Sequence, residues 1–153
     1  MGAEPYWYIV PYEADIEASL QKLRQREFQA GRYYPVTPFP EFPVDLEAPT
    51  VAPPHRSIEE VMEGADENGT RSILDIEHAA SVPFDDGQIQ LCAAFPFADS
   101  DLVDLFGTAR PTRGMIESND AMWDRIDRGS AIYVILFDND KPSEILFAGY
   151  SFD

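Results

Sequence analysis

A proline-rich segment divides the chain and limits the structures that can form there. Residues 33–55, YYPVTPFPEFPVDLEAPTVAPPH, contain seven of the 13 prolines. Proline has no backbone N–H and fixes φ, so neither a helix nor a central strand can run through this segment. The segment also carries apolar side chains that a flexible Gly/Ser-rich linker lacks, namely Val36, Phe39, Phe42 and Val44. We therefore predict that residues 35–54 form a semi-rigid strap packed on the folded body rather than a linker between domains.

A docking peptide is the alternative for the same segment. Arg32, Pro35 and Pro38 match the basic-x-x-Pro-x-x-Pro pattern that SH3 domains recognise. The pattern is short and arises easily by chance, so the strap is the favoured interpretation.

The sequence on either side of the strap alternates between strand-like and helix-like patterns. Strands are predicted where β-branched and aromatic residues cluster, at residues 5–12, 71–79, 89–95, 131–137 and 144–152. Helices are predicted from apolar periodicity and end signals, at residues 15–31, 57–70, 98–107 and 111–129. Strands joined by short turns favour antiparallel pairing.

These elements predict an α+β fold. A length of 153 residues is typical of a single domain. The predicted order is β-α-strap-α-β-β-α-α-β-β, with about five mostly antiparallel strands and about four helices packed mainly on one face of the sheet.

Net charge is the strongest global feature of the chain. Its 28 acidic and 11 basic residues give a formal net charge of −17. Phosphate groups are bound by Lys and Arg, so this balance argues against nucleic acid and anionic membranes as partners. No apolar run reaches the roughly 18 residues of a membrane span, and the N-terminus lacks a signal-peptide pattern. We therefore expect a cytoplasmic protein, and the strong preference for arginine over lysine suggests a bacterial source.

The negative charge is concentrated in the middle of the sequence. Residues 41–104 net −13, whereas the segments before and after net −1 and −3. The simplest explanation is solubility. However, small acidic immunity and inhibitor proteins of bacteria have a similar size and composition, and clustered carboxylates attract basic surfaces. We therefore predict a protein-binding module with a basic partner. The candidate partner-binding residues are Glu59, Glu63, Glu67, Asp85, Asp86 and Asp101.

A small enzyme, or a protein that binds a small molecule or a metal, is the second functional hypothesis. The chain has no phosphate-binding loop, nucleophile elbow or zinc-ligand motif, so no cofactor, metal ligand or catalytic residue is assigned. Glu27 falls in the apolar stripe of the first helix, and Asp75, Glu77 and His78 lie close together in a predicted strand. These four are the candidate pocket residues, because ionisable groups in unusual environments often mark functional sites. A salt bridge and a polar strand face are the simpler explanations.

Aromatic residues provide a further candidate. Tyr6, Trp7, Tyr8 and Trp123 could build a ligand cleft or anchor an interface. Most such side chains in a globular protein belong to the core.

Overall fold

Five strands form one mixed β-sheet in the order β1-β5-β4-β3-β2. The structure is a computed structural model that describes residues 3–65, 69–84 and 92–152. The strands are β1 (Pro5–Pro11), β2 (His78–Ala79), β3 (Ala93–Pro96), β4 (Ala131–Asp138) and β5 (Lys141–Tyr150). The two edges of the sheet are therefore β1 and β2.

The sheet is antiparallel through its longest strands and parallel toward the β2 edge. β5 pairs antiparallel with both β1 and β4. The β4–β5 turn places Asn139 and Asp140 at φ values of 51° and 61°, the left-handed conformation that a two-residue hairpin turn requires. β3 pairs parallel with β2 and with β4 over two and three residue positions. A helical crossover separates β3 from β4, as parallel neighbours require.

The helices begin and end at residues suited to those positions. The α-helices are α1 (Ile16–Ala30), α2 (Ile58–Gly64), α3 (Asp99–Phe106) and α4 (Arg113–Glu117), and two 3-10 helices span Ile73–Asp75 and Asp120–Arg125. The Asp15 carboxylate accepts a hydrogen bond from the Ala18 N–H at 3.0 Å and so satisfies a free donor at the start of α1. Gly31 ends α1 at a φ of 70°, which is strained for residues with a Cβ.

Apolar side chains pack on both faces of the sheet. On one face, α1, α2 and the 3-10 helix Ile73–Asp75 pack against alternate β1 residues, including Tyr6 and Tyr8. On the other face, α3, α4 and the 3-10 helix Asp120–Arg125 pack against the intervening residues, including Trp7 and Ile9. β4 is buried along most of its length. A strand with apolar side chains on both faces of the sheet needs other elements packed on each face.

The α+β class and the five-stranded sheet in one compact domain are confirmed. Three details differ from the sequence prediction. The sheet is mixed, because β3 pairs parallel with both β2 and β4. The helices lie on both faces instead of mainly on one, because β4 carries apolar side chains on each side. Within the predicted second strand, residues 71–79, Ile73–Asp75 form a 3-10 helix capped by Ser72, and His78–Ala79 form the strand that pairs with β3.

The proline-rich strap crosses the edge of the sheet beside β1. Its half-buried apolar residues Val36, Phe42 and Val44 pack against the core on the α1 side. The Phe42 ring lies 5.4 Å from the Trp7 ring and 5.3 Å from the Tyr8 ring, between centroids. Successive residues of a strand point to opposite faces, so Phe42 contacts side chains from both faces and lies over the β1 edge.

The strap also contacts the end of α1. The Val51 N–H donates to the Ala30 carbonyl at 3.0 Å, and the Val51 carbonyl lies against Gly31 so closely that a Cβ there would collide with it. Phe39, in contrast, is 65% exposed and its ring contacts the Arg71 guanidinium, 4.9 Å away.

Candidate functional site

α2 presents carboxylates to solvent on the side opposite its core contacts. Glu59, Glu60 and Glu63 are exposed, whereas Val61 is buried. The Glu60 carboxylate accepts from the Arg56 N–H at 2.6 Å and belongs to the helix cap. Glu59 and Glu63 are one turn apart on the same side. Among the described residues neither has a lysine or arginine at ion-pair distance.

Carboxylates from α1 and from the residue before β2 lie near those of α2, around Arg24. Burial lowers the pKa of Arg24, while the negative charges of Glu77, Glu59 and Glu17 oppose that change. Arg24 itself is 8% exposed and donates to the Leu74 carbonyl at 2.9 Å. Its charge is therefore mostly covered, whereas the three carboxylates are exposed. We call Glu17, Glu59, Glu63 and Glu77 the acidic face.

The remaining predicted partner-binding residues do not extend this acidic face within the described structure. Asp101 is on α3, on the opposite side of the sheet, and pairs with Arg125 at 3.1 Å. The same arginine pairs with Asp104. The positions of Glu67, Asp85 and Asp86 lie outside the described residues.

Glu27 is fully buried and bonded to two arginines. Arg32 donates to both carboxylate oxygens, from Nε at 2.8 Å and from Nη2 at 2.6 Å. Arg26 donates from Nε to Oε2 at 2.8 Å. The three side chains therefore carry a net charge of +1, and the Arg26 side chain, 35% exposed, brings it toward the surface.

Asp75 is also buried but stabilises a local turn. Its Oδ1 accepts from the Thr70 N–H at 2.7 Å and from the Thr70 hydroxyl at 2.8 Å. The Thr70 hydroxyl in turn lies 2.8 Å from the Ser72 hydroxyl, the cap of the 3-10 helix Ile73–Asp75. These bonds fix the backbone that leads into the 3-10 helix.

The four predicted pocket residues lie in different environments. Glu27 and Asp75 are buried in separate hydrogen-bonded groups, whereas Glu77 and His78 are exposed at the β2 edge. The Glu77 carbonyl accepts from Gln21 at 2.8 Å. None of the four lines the cleft described below. In the described part of the chain, no group of three or more His, Cys, Asp or Glu side chains is placed to hold a metal ion.

An apolar cleft of about 390 Å³ opens beside β1, between the strap and α4. Its apolar and aromatic lining consists of Trp7, Tyr8, Ile9, Pro43, Val44, Leu46, Ile116, Met122, Trp123 and Leu146. Met122 and Leu146 are buried at its base. The Trp7 and Trp123 rings meet edge to face at 5.9 Å between centroids. This volume is within the range of small-molecule sites.

Charged side chains of both signs line the same cleft. Arg26 comes from α1, on one face of the sheet, whereas Arg113, Glu117 and Asp120 come from α4 and the following 3-10 helix on the other. Arg113 pairs with Glu117 at 2.9 Å and with Glu144 at 3.1 Å. The cleft therefore crosses the β1 edge, with Arg26 on one side and the carboxylates on the other.

The aromatic residues were the sequence signal that came nearest to this cleft. Trp7, Tyr8 and Trp123 line it, whereas Tyr6 is fully buried in the core. The strap and α4 residues were missed because the cleft forms between segments far apart in the sequence, which no local pattern records.

Comparison with known proteins gives no relative for this chain. No family model matches it, and neither a search of curated proteins nor a search of solved structures finds a match. Within the described residues, none of the helices has both the length and the apolar character needed to cross a bilayer.

Proposed function

We propose that the chain is a small acidic protein of the bacterial cytoplasm that binds a basic surface on a partner protein, as immunity and inhibitor proteins do. The observation that carries the proposal is the acidic face. Its four exposed carboxylates come from α1, α2 and the residue before β2, and the cation among them, Arg24, is 8% exposed.

The physical argument concerns the rate of encounter. Four exposed carboxylates around the mostly buried cation Arg24 leave an excess of negative charge. This excess creates a negative potential that extends about a Debye length from the surface, roughly 8 Å at physiological salt. Such a potential raises association with a basic surface by a factor of about 10 to 1,000 and is weakened by salt. Nucleic acid and anionic membranes would be repelled by the same field. Glu59 and Glu63 contribute to this charge from the outer side of α2.

The second hypothesis, a small enzyme or a small-molecule or metal protein using Glu27, Asp75, Glu77 and His78, has less support. Glu27 and Asp75 are already hydrogen-bonded inside the fold, and Glu77 and His78 lie at the far edge of the sheet from the cleft. A small-molecule role for this chain is better based on the cleft itself.

The test is capture of partners from the lysate of the source organism on three immobilised proteins. One is the wild type. The second replaces all four residues of the acidic face, as Glu17→Gln, Glu59→Gln, Glu63→Gln and Glu77→Gln. The third is a control with the same change in net charge elsewhere, made by Asp124→Asn, Asp127→Asn, Asp138→Asn and Asp140→Asn, all at exposed positions.

The proposal predicts a basic protein that the wild type and the control retain and the acidic-face variant loses. Equal retention by all three proteins would show that the acidic face does not bind. Equal loss from both variants would show that total charge, rather than this surface, determines capture.

A further inference from the structure

We propose that the cleft beside β1 binds a small organic anion with a flat apolar body and one carboxylate group. This inference concerns a second site and does not depend on the acidic face. It is supported by the charge at Arg26, by backbone donors on the β1 edge and by the aromatic lining.

The charge argument begins with the two arginines bonded to Glu27. Arg32 occupies both oxygens of this carboxylate, so a second guanidinium is not needed to neutralise it. Arg26 uses its Nε for Glu27, and no other side chain among the described residues bonds to its two Nη groups. Fixing Nε orients the guanidinium and leaves the Nη donors available for a ligand carboxylate.

The backbone of β1 supplies further donors. The Tyr12 N–H donates to the Ser143 carbonyl at 3.1 Å, and the Ser151 N–H donates to the Glu4 carbonyl at 2.9 Å. Even-numbered residues of β1 therefore bond to β5, and the N–H groups of Trp7 and Ile9 point to the open edge. Within residues 3–65, 69–84 and 92–152, no group accepts a hydrogen bond from either N–H.

A small molecule suits this edge better than an extended peptide. Pro5 and Pro11 at the two ends of β1 have no N–H, so an added strand would find donors at two residues alone. Phe42 of the strap already lies against part of the edge. A compact ligand needs neither a longer edge nor movement of the strap.

The aromatic lining defines the rest of the ligand. The Trp7 and Trp123 rings offer a face and an edge to a flat apolar group. Arg113 is paired with two carboxylates, and Asp120 would repel an anion at the α4 end. The carboxylate of the ligand is therefore assigned to the Arg26 end of the cleft.

The two tryptophans make a direct experiment possible. The chain has two tryptophans, and both line the cleft, so intrinsic fluorescence reports on this site. Wild-type protein is titrated with three probes of the same shape at constant ionic strength: 3-phenylpropionate, its neutral amide and 3-phenylpropylamine. The proposal predicts a saturable change with the propionate and an affinity about tenfold higher than for the amide.

Two variants test whether Arg26 causes the preference for propionate over amide. Arg26→Gln should remove most of the preference for propionate over amide, while Arg56→Gln, at an exposed position away from the cleft, should keep it. Circular dichroism verifies that each variant is folded, and the wild-type comparison of the three probes stands without any variant. Equal affinity for all three probes, tighter binding of the amine, or no saturable change with the propionate overturns the proposal. A folded Arg26→Gln variant that keeps the wild-type preference for propionate over amide would also overturn the proposal.

Discussion

Arg32 donates two hydrogen bonds to the buried carboxylate of Glu27, from Nε to Oε1 at 2.8 Å and from Nη2 to Oε2 at 2.6 Å. The two residues are connected through the end of α1, because Glu27 lies in its last turn and Arg32 follows the Gly31 cap. This pair allows an acidic residue to occupy the apolar side of the helix. It also frees most of the Arg26 guanidinium to face the cleft.

Removing the Glu27 carboxylate should strongly destabilise the protein. Glu27→Ala leaves two arginines close together without their anion, and loss of one member of a buried ion pair costs about 3–5 kcal/mol. Urea denaturation measures the change in the free energy of unfolding. Glu13→Ala, which breaks the exposed pair with Lys22, is the control and should cost about 0–1 kcal/mol. Similar values for the two variants would contradict the role assigned to Glu27.

Truncating Phe42 should weaken the contact between the strap and the β1 edge. Phe42→Ala removes a half-buried ring that contacts Trp7 and Tyr8, at an expected cost of about 1–2 kcal/mol from partial burial and the two ring contacts. Tryptophan fluorescence should change as well, because the environment of Trp7 becomes more polar. Phe39→Ala is the matched control, since Phe39 is 65% exposed, and should cost less than about 0.5–1 kcal/mol. A larger loss in the free energy of unfolding for Phe39→Ala than for Phe42→Ala would contradict the packing of Phe42 on the β1 edge.

Alanine substitutions at Gly31 and Gly107 distinguish the energetic cost of backbone strain from the cost of a collision with the strap. Gly31 and Gly107 both end helices, at φ values of 70° and 78°, so alanine costs about 1–2 kcal/mol at either position. A Cβ at Gly107 has no neighbour within 4 Å, whereas one at Gly31 meets the Val51 carbonyl. Gly31→Ala should therefore cost at least about 1 kcal/mol more in thermal or urea unfolding. Equal losses would mean that the strap moves aside freely.

Because Tyr6 and Tyr8 are buried, we predict that the protein loses stability at alkaline pH. Burial, followed by the charge of Asp75, raises the pKa of Tyr6 well above its usual value, and burial, followed by the charge of Glu27, raises the pKa of Tyr8. In the unfolded chain both hydroxyls ionise at a pKa of about 10. Above that pH the unfolded state binds fewer protons than the folded state. Above a pH of about 10, the free energy of unfolding should therefore fall by about 1.4 kcal/mol per pH unit for each tyrosine. Below that pH, these two hydroxyls should not change the free energy of unfolding.

Urea midpoints measured across this pH range, with absorbance of tyrosinate as a second signal, provide the measurement. Tyr6→Phe should remove about half of the pH dependence due to this pair, because one of the two groups no longer ionises. The Tyr6 hydroxyl has no hydrogen-bond partner among the described residues, so this variant should remain folded. An unchanged pH dependence in Tyr6→Phe would mean that other groups cause the loss.

Local signals predict the parts of this fold that depend on neighbouring residues. Asp15 and Gly31 mark the ends of α1, Ser57 marks the start of α2, and the turn at Asn139 joins the last two strands. The 3-10 helix at Ile73 was missed because a short apolar run fits a strand equally well, and contacts with Tyr8 and α1 decide between the two.

The cleft could not be predicted for a related reason. Its walls come from β1, the strap and α4, so Leu46 and Asp120 line the same cleft although about half of the chain separates them in sequence. The acidic face was predicted in part: Glu59 and Glu63 follow from the periodicity of α2. Helix packing determines two further features that the sequence did not predict. It places Glu17 and Glu77 beside these residues, and it forms the ion pair between Arg125 and Asp101.

The most direct test of the acidic face is the salt dependence of the dissociation constant for the captured basic partner. Wild type and the Asp124/Asp127/Asp138/Asp140 control should weaken steeply and in parallel as salt is raised, because the ions screen the same carboxylates. The variant altered at Glu17, Glu59, Glu63 and Glu77 should bind more weakly at low salt and respond less to added salt. If that variant retains the affinity and the salt response of the wild type, recognition takes place elsewhere on the molecule.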